Sequence, residues 1–260
     1  MATAESVTKS SELPDDSQFI AGKKSLTNRH GNVVRTTMKE KRLDEKKSEK
    51  CPDRKRMEAT AFYERQFGKR RCGAATLVMV YRSFGLATDQ ETLWNELQSY
   101  SAEKTRTRSF HLAQNALEHG FSAVVVRVCE PASFLLADFS QARMIPVCRM
   151  RRDSGKGHFS LFLGTDGQTV SLHDPMFGPN RSLDFAEFLE LWTPRSTGDE
   201  ITRNVAVLIT VSRNEPMVCP TCSETFSLAP LRFFDGEAFE TMFCPYCDGR
   251  CTLDRTRSTG

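Results

Sequence analysis

The chain has 260 residues, enough for one sizeable domain with appendages or for two small domains. Its formal net charge of +3 is too small to imply a nucleic-acid partner, and no apolar run approaches the ~20 residues that a membrane-spanning helix needs. The N-terminus lacks a basic-then-apolar signal pattern, which predicts a cytoplasmic protein with reduced thiols. Nine cysteines in such a compartment indicate metal binding or catalysis more than a disulfide framework.

The first part of the chain, residues 1–57, is polar and rich in basic side chains. It carries too few large apolar residues to offset its ordering entropy, so a disordered tail is predicted. A solvated tail is the simpler interpretation, and a weak electrostatic tether to RNA or to an acidic partner is the alternative. Ordered structure is expected to begin at about residue 58.

Three helices are predicted next. The first begins at Cys72 and ends before Gly85, because glycine commonly follows the last helical residue. Thr88 and Glu91 have the spacing of a capping box, which places the start of the second helix there. The third helix is stopped by Gly120.

Short strands and helices follow. Strands are predicted at residues 121–128 and 143–150, with a short helix between them. Residues 157–175 are predicted to form a β-hairpin whose turn is at residues 165–168. An amphipathic helix and a closing strand at residues 204–211 complete the pattern. Helices first and a mostly antiparallel sheet second predict an α+β fold.

Cys72 has the setting of a reactive thiol. It lies at the predicted N-terminus of a helix, where backbone N–H groups favour negative charge. A histidine elsewhere in the fold could form an ion pair with it. Basic residues 69–71 precede it, but they can be solvated, so their contribution is expected to be the smallest. A structural cysteine in the core is the alternative.

His158 and Asp174 are predicted to act as the base and its orienting carboxylate. His158 opens a strand, and Asp174 lies 16 residues later at the far end of the same hairpin. If the two strands of the hairpin are equally long, these residues lie opposite each other, and Cβ atoms of cross-strand neighbours are about 4.5–5.5 Å apart. The carboxylate could then hold one imidazole tautomer and stabilise its cation. Gln66, six residues before Cys72, is predicted to donate its side-chain amide to an oxyanion.

These residues resemble two sequence blocks of the bacteriocin-processing cysteine peptidases, a papain-like family that removes double-glycine leader peptides. The blocks here are QFGKRRCGAATLVMV and GHFSLFLGTDGQTVSLHDP, and the resemblance covers about residues 60–212. It implies a papain-like peptidase domain at residues 58–213 that acts on a peptide or protein substrate. The resemblance implies that Gln66 is the oxyanion donor and that Cys72 is the nucleophile. It also implies that His158 is the general base and acid and that Asp174 is the orienting carboxylate.

Two Cys-Pro-x-Cys pairs lie in the C-terminal segment, residues 214–260. Four thiolates suit the tetrahedral preference of Zn²⁺, so the segment is predicted to be a zinc-ribbon domain with a structural ion and a surface for a protein partner. A redox disulfide pair and an iron–sulfur site are the alternatives. Cys251 is a surplus thiol that could replace Cys247. The four predicted ligands are Cys219, Cys222, Cys244 and Cys247.

Three functions remain open from the sequence. The first is a cysteine peptidase. The second is a non-catalytic adaptor, in which the papain-like domain binds a peptide and the zinc ribbon recruits a partner. The third is an acyltransferase that passes the same thioester to an amine instead of water. The presence of all four site residues favours an enzyme over the adaptor, whereas the sequence does not separate hydrolysis from transfer.

Overall fold

The computed structural model describes residues 62–100, 106–211, 216–228 and 239–251, with only the backbone at 239 and 240. The predicted disordered tail lies outside the described residues. The helices are α1 (Cys72–Ser83), α2 (Gln90–Ser99), α3 (Ser109–Glu118), α4 (Pro131–Leu135) and α5 (Phe185–Trp192). The strands are β1 (Ser122–Val128), β2 (Ala142–Arg149), β3 (Gly157–Phe159), β4 (Leu161–Thr165), β5 (Thr169–Asp174), β6 (Gly178–Asp184), β7 (Val205–Thr210), β8 (Pro216–Val218), β9 (Thr225–Ser227), β10 (Phe239–Phe243) and β11 (Arg250–Cys251).

A six-stranded antiparallel sheet, in the order β11-β10-β1-β7-β2-β3, is the centre of the fold. Its inner strands alternate their side chains between two hydrophobic cores. Val125 and Val207 face the core that includes α1, α2 and α3, whereas Val124 and Leu208 face the core that includes α4 and α5. Because both faces are buried, these strands are almost continuous apolar runs. Helices packed on an antiparallel sheet confirm the predicted α+β class.

Helix α1 is enclosed on all sides, since residues 72–81 are all buried. Its sequence is apolar on every face, which is typical of a helix inside the core, and Ala74 and Ala75 favour helix formation. The helix ends at Ser83. Gly85 follows with φ +84°, a left-handed conformation that glycine adopts without strain, as predicted.

The start of α2 differs from the prediction by one residue. Asp89 is the N-cap, and its carboxylate accepts a hydrogen bond from the Thr92 N–H at 2.9 Å. Aspartate is at least as good an N-cap as threonine, and at this position it reaches the orphan N–H of the first turn. The capping box predicted from Thr88 and Glu91 is therefore wrong.

The predicted hairpin is divided between two sheets. β4 and β5 pair around the predicted turn, but β3, which contains His158, pairs with β2 in the six-stranded sheet. Leu161 pairs with His173, so the register directs Ser160, rather than His158, towards Asp174. The cross-strand pairing predicted for residues 158 and 174 is therefore wrong, because the chain passes from one sheet to the other at residue 160.

Strand β6 was not predicted. It pairs with β5 and completes a three-stranded sheet, β4-β5-β6. The amphipathic helix predicted at residues 182–192 consequently begins only at Phe185, after Asp184. Asp184 caps this helix, because its carboxylate accepts a hydrogen bond from the Ala186 N–H at 2.9 Å.

The C-terminal segment joins the central sheet. β10 pairs with β1, and β7, predicted as the closing strand, lies between β1 and β2 inside the sheet. Phe226 and Met242 pack in the same core as Val124. The domain boundary predicted between residues 213 and 214 stays a prediction, although the described residues on its two sides share a sheet and a core. Within the described ranges, no helix has the length and apolar character needed to span a bilayer.

Candidate active site

The N-terminus of α1 packs against β3, which brings Cys72 beside His158. Thr76, one turn into the helix, donates its hydroxyl to the Phe159 carbonyl at 3.2 Å and ties the two elements together. A Cβ at Gly73 would lie 3.0 Å from Thr107 Cγ2 and 3.5 Å from Phe159 Cδ2, so a larger residue would make these side chains shift. A small residue after the cysteine therefore suits the close approach of neighbouring side chains.

Cys72 and His158 shift each other's pKa in opposite directions. Burial raises the pKa of the thiol, but hydrogen bonding and charge from His158, with the N–H groups of Phe159 and Gly73, bring it below its ordinary value. Burial lowers the pKa of His158, yet its interactions with Asp174 and Cys72 raise it well above the ordinary value. The arrangement therefore favours a thiolate beside an imidazolium.

The two nitrogens of His158 have different surroundings. Nε2 lies 2.8 Å from Asp174 Oδ1, so this nitrogen is committed to the carboxylate. Nδ1 is buried and has no well-aligned hydrogen-bond partner among the described residues. Nδ1 is therefore the nitrogen that remains for the thiol. A close but imperfectly aligned contact is common in sites without substrate.

Asp174 is completely buried and accepts hydrogen bonds at both carboxylate oxygens. Besides His158, Oδ1 accepts the backbone N–H groups of residues 176–177 at 2.9 and 3.1 Å. Oδ2 accepts Arg181 Nη1 at 2.8 Å and the Ser160 hydroxyl at 3.4 Å. Burial raises the pKa of the Asp174 carboxyl, but the hydrogen bond from His158 and the positive charge of that ring hold this pKa below its ordinary value. Asp174 thus stays ionised and fixes the imidazole.

Sequence reasoning missed Arg181 and Phe177 around this pair. Arg181 lies on β6, and its position beside Asp174 follows from the β5–β6 pairing that was not predicted. The Phe177 ring stands edge-on to His158 at 6.2 Å, with the Arg181 guanidinium 4.4 Å from its centre. Phe177 and Arg181 thus pack against the imidazole and the carboxylate, respectively.

Gln66 lies in the irregular loop before α1, and this loop runs beside the segment that contains Asp174. The Gln66 backbone N–H donates to the Pro175 carbonyl at 3.0 Å, and the Tyr63 hydroxyl donates to the Asp174 carbonyl at 3.2 Å. The Gln66 side-chain nitrogen donates to the Gly68 carbonyl at 3.1 Å. Since an amide nitrogen carries two hydrogens, one remains for another acceptor.

The basic residues before Cys72 contribute little to its pKa, as expected. Arg71 forms an ion pair with Glu91. Its guanidinium also lies 5.2 Å from the centre of the Trp94 ring. Arg71 therefore fastens the loop to α2, and the thiol is instead influenced by His158 and by nearby backbone N–H groups.

The four predicted metal ligands come together at one point, with all sulfur atoms within 4.8 Å of one another. The Sγ atoms of Cys219 and Cys247 are 3.7 Å apart, and those of Cys222 and Cys244 are also 3.7 Å apart. Four sulfurs at ~2.3 Å around a tetrahedral ion would be about 3.8 Å apart. The cluster therefore has the dimensions to hold a metal ion.

The two cysteine pairs have the same local structure. In each, the N–H two residues after the first cysteine donates to that sulfur at 3.4 Å. The residue after the second cysteine, Ser223 or Asp248, has a positive φ of 64° or 58°. Cys251, weighed as a substitute for Cys247, is outside the cluster and directs its sulfur to the Gly249 carbonyl at 3.8 Å.

The comparison with protein families identifies the peptidase part. The model described as "Peptidase C39 family" matches residues 61–196, just over half of the 260 residues. The chain therefore belongs to the peptidase C39 family. It is a cysteine peptidase, as the resemblance of its two sequence blocks predicted. No curated protein matches the chain significantly.

Three solved structures have similar folds. The peptidase domain of Streptococcus ComA, a bifunctional ABC transporter, is 17% identical with a TM-score of 0.45, over 57% of this chain and 97% of that one. A double glycine motif protease from an AMS/PCAT transporter is 17% identical with a TM-score of 0.43, over 57% and 89%. A C39-like peptidase from Bacillus anthracis is 14% identical with a TM-score of 0.43, over 59% and 95%. The family assignment rests on the family model alone.

Proposed function

We propose that this peptidase hydrolyses peptide bonds through Cys72, His158 and Asp174. The observation that carries the proposal is the polarised imidazole: Nε2 is bonded to a buried carboxylate, and the opposite edge of the ring is left for the thiol. Burial alone would raise the thiol pKa and lower the imidazole pKa, whereas both are shifted in the direction that favours the ion pair. A structural cysteine would need no such partner.

Each residue would have one role in the reaction. The Cys72 thiolate attacks the peptide carbonyl, and the His158 imidazolium protonates the leaving amine. Water then attacks the thioester with His158 as the base, which releases the acid product and restores the thiol. Asp174 stays ionised and holds the ring in one tautomer. The second amide hydrogen of Gln66, with the Cys72 backbone N–H, would stabilise the oxyanion of each tetrahedral intermediate.

The function is tested by incubating the full chain with a peptide library and identifying new termini by mass spectrometry. New amino and carboxyl termini are expected. Peptides with and without Gly-Gly before the scissile bond decide whether double-glycine leaders are cut, a specificity that the sequence leaves open. Products joined to an added amine, without free acid, would indicate acyl transfer, and a library bound but left intact would indicate the adaptor.

We also propose that the cysteine cluster holds one structural Zn²⁺. The sulfur spacing fits four short metal–sulfur bonds, and the N–H groups directed at two sulfurs would stabilise their charge. Four protein ligands leave no open position for substrate, so the ion would stabilise the fold. It would hold β8–β9 and the segment around β10 together.

Replacing Cys247 by serine is expected to abolish zinc binding, whereas Cys251→Ser should retain about one ion per chain. The reason is that Cys247 lies in the cluster and Cys251 does not. Metal content per chain is measured by a chromogenic chelator after denaturation. The melting temperature should also fall in Cys247→Ser, because β10 is part of the central sheet. Equal metal content in the two variants would contradict the assignment of ligands.

A partner-binding role for the cysteine module and a cytoplasmic location remain proposals. None of the eight cysteines within the described ranges is in a disulfide. Reduced thiols are typical of a cytoplasmic protein, which supports the location inferred from composition.

A further inference from the structure

Gln90, the first residue of α2, is a buried amide that the chemistry described so far does not use. It is 3% exposed and lies 18 residues from Cys72 in sequence. Its Oε1 accepts the Phe67 N–H at 2.7 Å, and its Nε2 donates to the Arg65 carbonyl at 3.0 Å. These two backbone groups belong to the residues on either side of Gln66.

Only an amide suits both contacts. An amide side chain has a carbonyl acceptor and two N–H donors, whereas a carboxylate has no donor and an aliphatic chain has neither. The Gln90 nitrogen also lies 3.5 Å from Glu64 Oε1, where a carboxylate at position 90 would be repelled. With the Gln66 N–H bound to the Pro175 carbonyl, three consecutive residues of the loop have their backbone tied to other parts of the fold.

The Gln66 side chain depends on this backbone for its direction. Its Oε1 is buried and has no hydrogen-bond partner in the part of the chain that the structure describes. Among the described residues, its nitrogen donates to the carbonyl of Gly68, two residues away in the same loop. The side chain therefore follows any movement of the loop.

We propose that Gln90 is a positioning residue that aims the Gln66 amide at the oxyanion. The proposal rests on the function proposed above. An oxyanion exists only in the tetrahedral intermediate and its transition states, so a misdirected donor should slow the chemical step without weakening substrate binding. Removing one oxyanion donor costs about 10²–10³-fold in rate, which is an upper limit for the effect of Gln90.

The test is a double-mutant cycle on peptide cleavage. Gln90→Leu is expected to lower kcat by about 10–10²-fold with KM changed less than about twofold. In a Gln66→Ala background the same substitution should change kcat less than about twofold, because the donor that it misdirects is gone. Gln90→Glu keeps the acceptor for Phe67 and loses the donor to Arg65, so it provides a second variant if Gln90→Leu folds poorly.

Asn115 provides a matched control. It is a fully buried amide on α3 that accepts the Tyr81 hydroxyl at 2.8 Å and donates to Glu96 at 2.8 Å, away from the loop. Asn115→Leu should lower the melting temperature and leave kcat of the folded protein within about threefold of wild type. An equal loss of kcat would assign the Gln90 effect to general destabilisation and overturn the proposal.

Two other outcomes separate the proposals. If wild type cleaves peptides and Gln90→Leu reduces kcat by the same factor in the wild-type and Gln66→Ala backgrounds, the positioning role is wrong while the peptidase function stands. If wild type cleaves no peptide under conditions in which it is folded, both proposals are overturned together.

Discussion

Replacing Cys72 by alanine is expected to lower the rate of peptide cleavage by at least about 10⁴-fold, since the thioester is proposed to form on its sulfur. The fold should persist, because alanine is a good residue at the start of a helix and is smaller than cysteine. The comparison is made on the same peptide library, with new termini counted by mass spectrometry. Cleavage products identical to those of wild type would contradict the peptidase mechanism and favour the adaptor.

Cys148 is the matched control for this substitution. It is a buried thiol that pairs directly with His158 across the β2–β3 ladder, yet it lies in the core on the face opposite Cys72. Burial raises the pKa of this thiol, so it is held neutral. Cys148→Ala should retain activity within about threefold and lose only stability, as expected for a small cavity. Loss of activity in both variants would mean that packing around His158, and not the nucleophile, had been tested.

Asp174→Asn is expected to lower kcat by roughly 10²–10⁴-fold, because the amide no longer stabilises the imidazolium or fixes its tautomer. The pH profile should also change. Asp174 raises the pKa of His158 in the wild type, so activity should be lost as pH rises through that pKa. Without the carboxylate the pKa falls, so the alkaline limb of kcat should move to lower pH.

Asp166→Asn controls for the loss of a carboxylate on the same hairpin. Asp166 lies in the exposed β4–β5 turn, where it accepts the N–H groups of residues 168 and 169. Its replacement should affect stability alone. Melting curves must accompany both variants, since Asp174→Asn also removes the ion pair with Arg181. An unshifted alkaline limb in Asp174→Asn would show that the carboxylate does not set the imidazole pKa.

The features that could be predicted from sequence are those with a local signature. Helix α1 follows from an apolar run that ends at Gly85, and the cysteine cluster follows from two Cys-Pro-x-Cys turns. The proximity of His158 and Asp174 was expected for a partly wrong reason. The pair is made by a side-chain hydrogen bond of 2.8 Å between two sheets, not by a cross-strand position, because the chain changes sheets at residue 160.

Contacts between distant segments could not be predicted in this way. β6 contains Gly, Pro and Asn, residues that strands disfavour, and it is a strand because β5 offers it a partner. Arg181 was missed as a consequence. The pairing of β10 with β1 joins residues more than one hundred positions apart. The bonds of Gln90 likewise depend on a helix packing against a loop, for which no short sequence pattern exists.

The central claim is that His158 holds Cys72 as a thiolate. It is tested most directly by the pH dependence of Cys72 alkylation with iodoacetamide, followed by peptide mapping, with N-acetylcysteine as the reference thiol. Because the pKa of Cys72 is lowered, its alkylation should persist to lower pH than that of the reference, and His158→Ala should remove the difference. The account would be contradicted if the pH midpoint of Cys72 alkylation were at or above that of the reference thiol and did not change in His158→Ala.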